Sequence, residues 1–264
     1  MQDLLTHVFS SQWRVLFFFT VVLLAVAELG FRRGLRVHET SDEACLNQLG
    51  TLQGSVLGLL ALLLGFTFAM AMQRYEVRRD LVVQEANAIG STYLLAAFLP
   101  EPHRGASEQL LRRYVDVRLG FYGAGYDSDR IASAEQAATA IQRQLWNHAV
   151  AAGKLSDSPL TANFVNSLGR IIDLDTTRLA AMRNRIPLTV WVLLLGVAGC
   201  GCWATGYGAG ATGRRTAFAL TIVPVLIAAV ITVLADFSAT RRGLIGISQE
   251  SLVALQQSLS ERQP

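Results

Sequence analysis

Between Gly54 and Met72 the chain runs for 19 residues without a single charge. At a helical rise of about 1.5 Å per residue such a run just spans a hydrocarbon core of about 30 Å. In water, an uncharged helix of this length would have to be buried on every side, so the stretch reads as a membrane span. Three further apolar blocks share its character: Trp13 to Phe31, Ile186 to Tyr207, and Ala217 to Ala235. A backbone in lipid must satisfy its own hydrogen bonds, and lone spans do so as helices. The expected fold class is therefore an all-α integral membrane protein with four transmembrane helices. Composition agrees, with 52% hydrophobic and only 16% charged residues in 264.

The expected organisation is an N-terminal transmembrane hairpin over 1–72, with spans at about 13–31 and 54–72. A helical region follows over 73–185, then a second hairpin over 186–235, with spans at about 186–207 and 217–235, and a tail over 236–264. A nine-residue Gly-rich loop with Arg214 and Arg215 joins the last two spans. In the first block, Ala25-Val-Ala27 has the small-x-small form of a signal cleavage site. The leader carries Asp3 in place of a basic region, however, and the apolar run continues to Leu29 and Phe31. The block is expected to be retained as a span.

Arginines near the span ends predict orientation. Arg14, Arg74, Arg78, Arg79, Arg178, Arg183, Arg185, Arg241 and Arg242 fall on one side, against Arg32, Arg33, Arg36, Arg214 and Arg215 on the other. The positive-inside rule then places both termini and the middle segment in the cytoplasm, giving a multi-pass protein of a bacterial cytoplasmic (inner) membrane. The net charge of +3 from 23 basic and 20 acidic residues is too balanced for a nucleic-acid binder. Cys45, Cys200 and Cys202 are too few for a disulfide framework and read as small hydrophobes.

The middle segment has apolar positions at helical spacing and few strand signals. Four helices are expected: a continuation of the second block through about Phe98, then about Ser107 to Tyr122, Asp129 to Ala152, and Ser158 onward. Pro100, Pro102, the Gly123–Gly125 turn and Gly153 supply the stops, and Ser158 before Pro159 is an N-cap followed by proline in the first turn. The helix leaving the second block carries Arg74, Glu76, Arg78, Arg79, Asp80 and Glu85, mixed signs that predict a solvated or intersubunit face.

Transporters and pumps carry ionisable groups near the bilayer centre because function repays their cost. None of the four blocks has one there. Glu28 lies about a turn from the end of the first block and Asp236 just past the end of the fourth, and both read first as interfacial carboxylates paired with arginine. Roles at a pore mouth or as proton ligands come second. His7, His38, His103 and His148 have no metal-ligand spacing, and neither a GxSxG nucleophile motif nor a phosphate-binding P-loop occurs. No enzyme activity, cofactor or metal is expected.

In the second block, Gly54, Gly58, Ala61, Gly65, Ala69 and Met72 recur at spacings of three and four, a small-residue seam suited to close helix packing. Beside it Leu62 and Phe66 present bulky apolar groups one turn apart. By periodicity alone they read first as lipid-facing or core residues; in a symmetric oligomer they would stack as apolar rings that gate by dewetting.

The stretch GLLALLLGFTFAMAMQRYEVRRDLVVQEANAIGSTYLLAAFLP, Gly58 to Pro100, resembles the signature of a widespread bacterial membrane family called bestrophin-like. RNRIPLTVW (Arg183 to Trp191), GYGAGATGRR (Gly206 to Arg215) and RRGLIGISQESL (Arg241 to Leu252) resemble its other motifs, in the family's order. Before the last, the family usually has Asp-x-Asp-Arg-Pro, whereas this chain reads Asp236-Phe237-Ser238-Ala239-Thr240 and keeps only the first aspartate. A more distant likeness links Leu64-Gly65-Phe66 and Arg74-Tyr75 to the pore helix of true bestrophins, pentameric anion channels. By that alignment the apolar neck falls on Gly58, Leu62 and Phe66, with glycine leaving it shorter or wider.

The resemblance implies a homo-oligomeric ion channel, a pentamer, with the lipid bilayer and inorganic ions, anions by preference, as its partners. The second span would line the pore, with a neck at Leu62, Phe66 and Gly58 and a cytoplasmic mouth at Arg74, Arg78 and Arg79. Glu76, Asp80 and Glu85 on the same helix would offset the arginines. The alternative is a non-conducting membrane scaffold or sensor whose cytoplasmic helices bind a partner.

Overall fold

The computed structural model describes residues 12–38, 43–123, 127–156, 158–184, 186–213, 215, 217–238 and 247–261. His7, Arg185, Arg214, Arg241, Arg242 and the side chain of Cys45, invoked above, lie outside the described residues, as does the first half of the 241–252 motif. Among the described residues the regular elements are helices: α1 (Gln12–Leu35), α2 (Glu43–Ala96), α3 (His103–Gly123), α4 (Ser128–Leu155), α5 (Pro159–Arg183), α6 (Leu188–Ala211), α7 (Ala217–Ser238) and α8 (Glu250–Glu261). Four candidate membrane spans result: Trp13–Leu35, a stretch within Leu46–Ala96, a stretch within Pro159–Ala211, and Leu220–Ser238. The four-span all-α class expected from the apolar blocks is the observed one.

The chain divides into two compact units, one comprising Met1–Arg74 with Arg185–Ile245 and the other Tyr75–Asn184 with Gly246–Pro264. The 54-residue helix α2 runs through both, and its two portions are treated with the unit to which each belongs.

In the first unit α1 packs along α6 and α7. Its contact with α6 is made by two matching small-residue pairs. A Cβ added at Gly206 or Gly210 of α6 would meet the carbonyls of Ala27 and Phe31, and one added at Gly30 or Gly34 of α1 would meet those of Trp203 and Tyr207. Both helices therefore carry Gly-x-x-x-Gly facing each other, and the absence of side chains lets the backbones touch, where van der Waals packing drives helix association in lipid. The small residues that bring helices of this chain closest are thus those of α1 and α6, not the α2 seam. At the end of α6, Gly213 takes a left-handed conformation with φ +66°, which a glycine adopts at least cost. The His38 Nδ1 sits 2.8 Å from the Ala211 carbonyl at the same place. Phe68 of α2 meets Phe237 of α7 edge-on with centroids 5.6 Å apart.

The second unit has a core of Ile89, Leu111, Tyr114, Leu145, Phe164, Leu168 and Leu252, all at most 0% exposed. α4 packs against α3 and α5, and α8 against α3. The segment read from sequence as a tail therefore contains a core helix: Leu252 and Leu259 are buried, and the Gln256 amide donates to the Asp116 carboxylate at 2.7 Å. Helix starts follow local chemistry. Asp127 caps α4 by accepting from the amides of Asp129 and Arg130, and Ser158 caps α5 with Pro159 in its first turn.

Candidate functional site

In the first unit, the α2 positions that the resemblance assigns to a neck lie on an uncovered face. Leu62 is 55% and Phe66 64% exposed, and Gly58, Ala61, Gly65 and Ala69 are exposed beside them. A Cβ added at Gly54, Gly58 or Gly65 would meet nothing within 4 Å. The opposite side of the helix is the packed one, with Leu60, Thr67 and Ala71 buried. There the Thr67 hydroxyl donates back to the carbonyls of Leu63 and Leu64 at 2.7 and 3.0 Å, which satisfies it without water. The seam and the apolar stripe, adjacent in sequence periodicity, thus share one exposed side of α2.

The three arginines expected at a mouth do not share an environment. Arg74, in the first unit, is half-buried with its Nη2 3.6 Å from the Met70 sulfur. In the second unit Arg78 is buried, whereas Arg79 is exposed. Glu76 and Asp80 are exposed as well. Of the interfacial acids, Glu28 accepts from Arg32 at 3.0 Å and from Arg215 at 3.2 Å, and Asp236 is buried within the first unit.

Glu85 departs from the solvated face expected of it. It is fully buried in the second unit, where its carboxylate forms ion pairs with Arg118 of α3, Nε to Oε1 2.7 Å, and with Arg178 of α5 on the other oxygen. Arg118 also reaches the Asp175 carboxylate, 2.6 Å away, and the Gln142 amide donates to Asp175 at 3.1 Å and to the Tyr114 hydroxyl at 3.0 Å. Arg178 lies 4.4 Å over the ring of Tyr122, and Arg118 5.2 Å from that of Phe121. Two carboxylates and two guanidiniums cancel, which is how four charged side chains tolerate burial. Burial pushes the Glu85 carboxyl up, to about 7; the Arg118 guanidinium pulls it back, and the Asp175 carboxylate adds to the rise.

Residue periodicity carried a signal for this cluster. Glu85 stands one turn from Val82 and Ile89, Arg118 one turn from Tyr114 and Phe121, and Asp175 one turn from Ile171, each a polar residue at a core position of an amphipathic helix. Read one helix at a time these positions look like isolated charges, and only packing brings opposite signs together.

A family model of the Bestrophin-like domain matches residues 18–252. Solved structures agree in fold. One variant of the bacterial bestrophin homolog from Klebsiella pneumoniae superposes with a TM-score of 0.71 at 12% identity, over 93% of this chain and 97% of that one. A second structure of that homolog gives 0.68 at 13% identity, over 94% and 99%. A further structure, described as a membrane protein, gives 0.68 at 14% identity, over 91% and 97%. Among curated proteins none matches the sequence. With nearly the whole chain matched by the family model and the four-span helical fold shared with bestrophin homologs, this protein belongs to the Bestrophin-like family.

Proposed function

We propose that the chain is one subunit of a homo-oligomeric ion channel in a bacterial inner membrane, with both termini cytoplasmic and α2 lining an axial pore. The observation that carries this reading is the uncovered side of α2. Leu62 and Phe66 project from a strip of glycine and alanine that nothing among the described residues covers. Around an axis, small residues permit several copies of α2 to approach, and the two bulky residues form stacked apolar rings. Gly58 leaves the outer end of that neck wide. Such a neck needs no charge inside the membrane, in keeping with the uncharged stretch from Gly54 to Met72. The family resemblance favours five subunits.

The proposed preference is for anions, as the family resemblance implies. Of the arginines assigned to the cytoplasmic mouth, Arg79 is exposed, Arg74 half-buried and Arg78 buried, and Glu76 and Asp80 of the same helix offset them.

Planar-bilayer recording of the purified protein tests the pore. A wild-type current that rises or loses its rectification in Phe66→Ala supports the neck. Silence of the wild type under voltage and salt gradients, or a current indifferent to Phe66→Ala, rejects it. A dimer by native mass measurement would favour the scaffold alternative.

A further inference from the structure

Outside the stripe on α2 and the buried charge cluster, one pair of metal-ligating side chains converges. His103 opens α3 and His148 lies in α4, 45 residues away, and their Nδ1 atoms stand 3.1 Å apart with ring centroids at 5.4 Å. Both are half-buried.

We propose that His103 and His148 form a two-histidine site for a divalent transition-metal ion of the zinc, nickel and copper class, which ties the start of α3 to α4. A neutral imidazole has one N–H and one lone pair, so at this separation the two Nδ1 atoms share a single proton. An ion that replaces this proton takes both lone pairs. Zinc–nitrogen bonds of about 2.0–2.1 Å at a tetrahedral angle set the two nitrogens roughly 3.3–3.4 Å apart. The pair needs to open by only a few tenths of an ångström. Imidazole suits exactly this borderline class of ion and not Mg²⁺ or Ca²⁺, which take oxygen ligands.

The surroundings fit a ligand role. The nearest cationic side chain in the sequence, Arg104, is engaged by Glu108 at 3.4 Å. No cluster of three or more ligating side chains occurs among the described residues, so water completes the shell. An open site of this kind binds reversibly, and occupancy braces two helices of the second unit without closing a structural metal centre.

The test uses the full chain, untagged, purified in detergent, stripped with chelator and given Zn²⁺ alone. The expected result is one Zn²⁺ bound per subunit, with a rise in melting temperature that Mg²⁺ does not produce, and loss of both in His103→Ala and in His148→Ala. Failure of the wild type to bind Zn²⁺ at hundred-micromolar concentration overturns the site, as does binding that persists in the double variant. Should either variant fold poorly, Cu²⁺ spectroscopy on the unaltered chain decides: hyperfine coupling to two nitrogens supports the assignment, and all-oxygen ligation rejects it. Neither measurement depends on whether the protein conducts.

Discussion

Arg118 forms an ion pair with Glu85, Nε to Oε1 2.7 Å, between two side chains at most 1% exposed. A bond of this kind is far costlier to break than its net contribution suggests, because removing one partner strands the other charge in an apolar surrounding. Glu85→Gln or Arg118→Met is expected to destabilise the second unit by about 3–5 kcal/mol. Thermal melting in detergent, followed by a fluorophore-free size-exclusion assay, measures it. A loss no larger than that of an exposed control such as Glu261→Gln would show that the cluster is not what holds these helices.

The two sets of small residues make opposite predictions. Gly206→Ala places a methyl group against the Ala27 carbonyl, and α1 and α6 must separate to admit it. The yield of folded protein should fall sharply. Gly54→Ala meets nothing within 4 Å and should leave the fold of the subunit intact. If α2 copies approach one another along that seam, the same Gly54→Ala weakens the oligomer, and native mass measurement at rising detergent concentration reads the difference.

Selectivity should track Glu76 and Asp80. Under a KCl gradient the reversal potential of the wild type is expected on the anion side. Combined Glu76→Gln and Asp80→Asn should move it towards anions, and Arg79→Gln in the other direction. A wild-type potential on the cation side rejects the anion preference, and one unmoved by either change removes these residues from the conducting path.

Metal-free protein should lose stability in acid through His148. Its folded pKa lies below the ordinary value of 6.5, so the unfolded chain binds the proton more readily. The contribution is complete above about 6.5 and is lost as pH falls through the lowered value. Melting temperature followed from pH 7.5 to 5 checks this, and His148→Gln should flatten that part of the profile.

Much of the architecture was legible in the residues because the constraints were local. An uncharged run as long as the bilayer is thick has one outcome, and Ser158 before Pro159 begins a helix by its own hydrogen bond and φ angle. Four spans and helix-rich intervening residues followed from the apolar runs and from periodicity, whereas the candidate neck on α2 came from the family resemblance. Tertiary structure alone decided which charges are solvated. Arg78 and Glu85 stand in the same mixed run as Arg79 and Asp80, yet the first two are buried and the last two exposed. Burial of a charge depends on a partner arriving from another helix, and the partners of Glu85 are 33 and 93 residues away in α3 and α5. The same holds for His103 and His148, unremarkable as single residues, and for Gly206, whose reason for being glycine is the backbone of α1.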